Sequence, residues 1–139
     1  MGTITDPEQA STVVDSVCDA LRALADAEFG KFDELALLDI APALERITRL
    51  THAAQIQLTG EIDTRRVAST HGCPNTAALL RNTLQISAHD AKTRVATARA
   101  VLPQPRLSGG TTPPVLPRLA DALTAGTIGI EQTRTMCPP

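Results

Sequence analysis

The 139 residues carry 13 basic and 15 acidic side chains for a formal net charge of −2, with 42% hydrophobic residues, no Trp, no Tyr and only two Phe. A chain of this length fits one domain and can bury roughly two thirds of the surface its unfolded form exposes, but its core must be built from Ala, Leu, Val and Ile, which favours helices throughout. No segment approaches the roughly 18 apolar residues of a membrane span and no basic leader precedes an apolar run, so the chain reads as a soluble, cytoplasmic protein without a membrane partner.

Charge is distributed unevenly. Residues 1–45 hold ten acids against Arg22 and Lys31, a local net of −8, and the remainder holds eleven basic residues against five acids, a local net of +6. An acidic head on a basic body fits a body that faces nucleic acid, but about one net charge per 16 residues is modest for a DNA binder, and helices packing with complementary charge account for it more simply. Cys18, Cys73 and Cys137 are odd in number, far apart and without a C-x-x-C pair, which argues against a disulfide framework or a zinc site.

Residues 1–38 read as an acidic N-terminal helix and its connection. Asp6 is placed as N-cap, Pro7 at the first helical position and Gln9 to close a capping box. Val14, Val17, Leu21 and Leu24 give about five turns one apolar face before Gly30, and Phe29 and Phe32 plug the following loop. Residues 39–102 form the helical core. A helix starting near Asp39 and running about 28 residues carries Ile40, Leu44, Ile47, Ala54, Leu58 and Ile62 on one stripe, with Arg65 and Arg66 at its end available to phosphate. The stretch VASTHGCPN (residues 67–75) breaks this spine, and its His-Gly-Cys cluster is too small to bind metal.

Asn75 then caps a helix over Thr76–Gln85, with Leu79, Leu80 and Leu84 inward. Ser87 caps the next, SAHDAKTRVATAR, with Asp90 three residues on as its capping-box partner. The pair reads as a helical hairpin or a helix-turn-helix. On a helical wheel Ala88, Ala91, Val95, Ala98 and Leu102 form the buried stripe. Lys92 and Arg99 fall on one shoulder and Arg94 on the other, with His89, Thr93, Ala96, Thr97 and Ala100 outward. That outward face lacks the Arg, Asn or Gln that read base edges, so contact with DNA there is restricted to the backbone. Residues 103–115 form a Pro/Gly-rich loop. Residues 116–139 form C-terminal helices over Leu116–Ala125, stopped by Gly126, and Ile130–Met136.

The order Asp63-x-Arg65, Gly72, Thr76-Ala77-x-Leu79-Leu80, Ser87-x-x-Asp90-Ala91-x-x-Arg94-Val95-x-x-Ala98-Arg99, Ala125-Gly126-x-Ile128-x-x-Glu131-Gln132 resembles the actinobacterial 13E12 repeat family across about residues 40–136. That family carries the helical domain of unknown function numbered 222, usually ahead of an HNH endonuclease domain, and is associated with mobile-element-like loci. The resemblance implies the helical domain. It does not extend to nuclease activity, because the His, Asn and second His that hold a divalent cation beside a scissile phosphate are missing. The ending Cys137-Pro138-Pro139 reads as a truncation ahead of that module.

The expectation is therefore an all-α bundle of five to six helices with a long central helix and a helix-turn-helix-like hairpin, with no catalytic, metal or cofactor site and no small-molecule ligand. Its leading role is a DNA-associated accessory module that grips the backbone through Arg65, Arg66, Arg81, Lys92, Arg94 and Arg99. The alternatives are a protein-interaction or self-association module acting through helical faces, and a non-functional truncated remnant.

Overall fold

A computed structural model describes residues 2–139. Helix α1, Pro7–Ala25, begins where Asp6 accepts a hydrogen bond from the Glu8 N–H at 3.0 Å and Pro7 supplies its pre-set φ. The cap goes to Glu8, so the capping box through Gln9 does not form. Its apolar residues line up as expected, yet none of the 19 is buried. A 3₁₀ turn, Phe29–Lys31, follows, and Phe29 and Phe32 meet edge to face with centroids 5.5 Å apart. Phe32 remains exposed and packs on its neighbour instead of plugging a core.

Helix α2 spans Glu34–Thr64, 31 residues. It starts five residues before the expected Asp39 because the Asp33 carboxylate takes the Ala36 N–H at 2.8 Å, and Pro42 is carried inside. The chain divides into two compact units just before that proline, one ending at Ile40 and the other running Ala41–Pro139. In the first unit Leu35 and Leu38 are exposed.

The second unit holds the core. Its part of α2 buries His52, Ile56, Thr59 and Gly60, a line rotated from the expected stripe: Ala54 and Leu58 are exposed, and Ile62 is half-buried. The rotation follows from Gly60, where a Cβ would collide with Leu102 Cδ1 and touch Ala98, so the bare backbone is where the helix that carries Ala98 seats against α2. The spine breaks at Arg66 (φ 53°), and VAST itself forms one helical turn, α3, Val67–Thr70. The expected break from residue 67 onward thus begins one residue earlier, at a left-handed arginine.

Helix α4, Thr76–Leu84, is capped by Asn75, whose side chain accepts the Ala78 N–H at 2.8 Å, and ends at Gln85 with φ 55°. Leu80 is buried, Leu79 half-buried and Leu84 exposed, which corrects the expectation of three inward leucines. Helix α5, Ala88–Val101, is capped by Ser87 to the Asp90 N–H at 3.0 Å. The Asp90 carboxylate does not return to the cap; it binds arginines, as described below. The buried stripe of α5 includes Ala91, Val95 and Ala98 as expected. Thr93 and Thr97, placed outward by the wheel, are also buried, and Ala96 and Ala100 are half-buried. Ala88, expected inward, is exposed, and α5 meets solvent only along the edge that carries Ala88, His89, Lys92 and Arg99; a helix covered on its other sides is misassigned by a two-faced wheel.

The Pro/Gly-rich stretch folds back as a two-residue antiparallel ladder, β1 (Gln104–Pro105) with β2 (Thr111–Thr112), turned by Gly109 and Gly110. Helix α6, Pro117–Ala125, ends on Gly126 at φ 72°, and α7, Ile130–Met136, packs on α5. One apolar cluster joins Ile56, Ala98, Val101, Leu119, Leu123 and Cys137, and a second joins Leu80, Ala91 and Val95. The fold is all-α, seven helices among the described residues, with one small two-stranded ladder. No helix among these residues is long and apolar enough to cross a membrane.

Candidate functional site

Two polar constellations and one apolar groove lie within the second unit. The first is centred on Asp63 near the end of α2. Arg99 donates to it twice, Nε to Oδ2 at 2.9 Å and Nη2 to Oδ1 at 3.1 Å, and the Thr76 hydroxyl donates to Oδ1 at 2.7 Å. The Arg99 hydrogen bonds outweigh burial and hold the Asp63 carboxyl below the usual carboxylate range, and the carboxylate in turn raises Arg99. One side chain thus joins α2, the first turn of α4 and the last turn of α5.

The second constellation surrounds His52. Its Nε2 lies 3.1 Å from the Thr133 hydroxyl, which itself donates to the Ile130 carbonyl at 2.9 Å. Because the hydroxyl's proton is used, Nε2 carries the hydrogen and the buried Nδ1 is left without a partner. Burial lowers the His52 pKa, Arg94 and Arg134 push the same way, and Asp90 opposes them. Asp90 holds both arginines, Arg94 at 3.4 Å and Arg134 at 3.5 Å, and so links α5 to α7.

The third is an apolar groove of about 580 Å³ beside α2 and α4, lined by Leu58, Ile62, Leu79 and Leu84, with Arg94 and His71 at its edge. His71 Nδ1 contacts the Thr70 hydroxyl and the Val67 carbonyl at 3.1 Å. Among the described residues no three His, Cys, Asp or Glu side chains gather in a way that could hold a metal ion. The three cysteines are free, and burial pushes the Cys137 thiol up.

The six basic residues singled out in the sequence divide accordingly. Arg94 is only 14% exposed and bound to Asp90, and Arg99 is clamped on Asp63. Arg65 pairs with Glu61 at 2.7 Å one turn back, both exposed, a contact worth little in water. Arg66, Arg81 and Lys92 are exposed, with no carboxylate within 4.0 Å among the described residues. The six do not assemble into one cluster of free cations.

His52 and Thr133 went unnoticed in the sequence because 81 residues separate them and each sits in an ordinary helical context. Asp63 and Thr76 were visible as spaced motif positions. Only the fold shows that they meet.

The architecture is that of an all-α domain whose polar core residues are engaged with one another. The family model described as "Domain of unknown function (DUF222)" matches residues 38–138, and the chain belongs to that family. No curated protein and no solved structure matches it at a significant level.

Proposed function

We propose that the chain is a non-catalytic helical interaction module that engages a partner through the apolar stripe of α1. One observation carries this reading. A 19-residue helix has no buried residue, and Val13, Val14, Val17 and Leu21 are all exposed on it. Most helical stability in proteins comes from packing an amphipathic face and not from propensity, and contiguous exposed apolar surface marks interaction sites. The engagement of His52, Asp63 and Asp90 with neighbouring side chains supports a non-catalytic role. A photoreactive residue placed at Ala20, beside the stripe, is expected to give a discrete cross-linked partner in the host cell, and the same residue at Thr12 on the polar face is not. Equal labelling from both positions removes the reading.

A second reading is an accessory module that grips DNA. Arg66, Arg81 and Lys92 support it as exposed cations without carboxylate partners, and Arg65 adds a fourth whose ion pair is weak. The resemblance to 13E12 repeat proteins would make it a helical companion of a DNA-cutting module from a mobile element. Three phosphate contacts correspond to a slope of about −3 in log affinity against log salt. Replacing Arg81 and Lys92 by Ala should shallow that slope by about two. Absence of binding to duplex DNA at low salt excludes this reading.

A further inference from the structure

The apolar groove of about 580 Å³ beside α2 and α4 falls within the size of small-molecule sites, about 300–1,000 Å³, and its character changes along its length. Ala98 lies beside Gly60 and Arg99 meets Asp63, so α5 runs along α2 in the same direction and sets Arg94 level with the turn that begins at Gln55. Thr76, at the start of α4, also meets Asp63, so α4 runs the opposite way and carries Thr83 back toward Gln55. Gln55, Thr83 and Arg94 therefore gather at one end of the groove, and Ile62, Val67 and Leu79 line the other.

The polar end carries a surplus positive charge. Arg94 is mostly buried, yet its one carboxylate contact is Nη2 to Asp90 Oδ2 at 3.4 Å, and Asp90 is shared with Arg134 at 3.5 Å. A well-made charge-assisted pair closes to about 2.7–2.9 Å. Two guanidinium groups thus divide one carboxylate at long range, and no Asp or Glu lines the groove to balance the second. A guanidinium presents its N–H donors in a fork that matches a carboxylate, and those of Arg94 beyond the Asp90 contact have no acceptor among the described residues. The same excess is felt at His52, whose protonation both arginines oppose.

We propose that this groove binds a medium-chain fatty acid, its carboxylate accepting hydrogen bonds from Arg94 at the Gln55 end and its tail lying along Leu58, Ile62 and Leu79. From Gln55 to Ile62 the groove follows α2 for about 10 Å, at 1.5 Å per residue, a length that suits such a tail. An extended peptide would bring backbone N–H and C=O groups against Leu58, Ile62 and Leu79, which offer them no partner. An aliphatic chain brings none, and its single charged end meets the single surplus cation.

Decanoate, decan-1-ol and decyltrimethylammonium share one tail and differ only in the head group, which separates charge recognition from simple greasiness. In isothermal titration calorimetry on the full chain, decanoate is expected to saturate one site, and the alcohol and the ammonium to bind at least roughly tenfold more weakly. Arg94→Gln should bring decanoate down to the affinity of the alcohol and leave the alcohol unchanged, a split that general loosening of the fold would not produce. Leu58→Glu, at an exposed position, sets a carboxylate in the path of the tail without removing a core side chain. It should abolish binding of decanoate and decan-1-ol alike, with far-UV circular dichroism checking that the helices persist. Equal affinity for the three head groups overturns the proposal. So does a lack of saturable decanoate binding, which would leave the groove to a polypeptide partner. Should Arg94→Gln fail to fold, the head-group comparison on the unsubstituted chain decides alone.

Discussion

Arg99 and Asp63 face each other fork to fork, Nε to Oδ2 at 2.9 Å and Nη2 to Oδ1 at 3.1 Å, across 36 residues of chain. Two parallel charge-assisted bonds fix both distance and angle between α5 and the end of α2. Asp63→Asn keeps the shape but removes the charge and an acceptor. It should lower stability by about 1–2 kcal/mol, the modest figure reflecting an Arg99 side chain that is 60% exposed. The chain has no Trp or Tyr, so urea unfolding is followed by far-UV circular dichroism. An unchanged midpoint would show that the clamp contributes nothing.

His52 gives the fold a dependence on pH. The folded imidazole resists protonation, whereas the unfolded one takes a proton near its ordinary value of 6.5. The unfolded state therefore binds more protons below that pH, and stability is full above about 6.5 and falls as pH drops toward the lowered folded value. His52→Leu should flatten the curve in this window. Asp63 acts in the same direction at lower pH: its contribution is present above its ordinary value of 3.8 and is lost as the pH falls through its lowered folded value. A His52→Leu chain with an unaltered pH profile would refute the assignment.

The buried line of α2 is tested by two neighbouring positions. Ile56 is 1% exposed and Leu58 is 63% exposed. Ile56→Ala should cost about 2–5 kcal/mol through lost packing and a cavity, and Leu58→Ala at most about 0.5 kcal/mol, as for an ordinary surface change. Equal losses at the two positions would return the helix to the stripe that periodicity alone proposes.

Gly126 ends α6 at φ 72°, and a Cβ there would lie 2.9 Å from Leu50 Cδ2. Gly126→Ala should cost about 1–2 kcal/mol from the left-handed backbone alone, with crowding of Leu50 added to it. Gly72→Ala, also at positive φ but with open space around it, reports the backbone part by itself. Thermal melts of the two variants separate these contributions. Identical shifts would mean that Leu50 moves aside freely.

Most of the fold is legible in the sequence where signals are local. Asn75, Ser87 and Gly126 mark helix ends by their own chemistry, and the structure uses each as expected. What periodicity misassigns is burial wherever a helix is covered on more than one side. Thr93 and Thr97 look polar and outward on a wheel, yet α5 buries both; the Thr93 hydroxyl bonds the His89 carbonyl of its own helix at 2.9 Å and so needs no solvent. The candidate site was legible only as a list of cations. Which of them are free depends on Asp63 and Asp90, and these carboxylates reach their arginines through the packing of helices distant in sequence. The meeting of His52 with Thr133 left no local trace.

The absence of any buried side chain from α1 separates two kinds of evolutionary constraint. Replacements along that helix forfeit no fully buried side chain, whereas those around Asp63, Asp90 and Gly60 disturb contacts between helices distant in sequence. The N-terminal helix is thus the part of the molecule whose sequence internal packing constrains least.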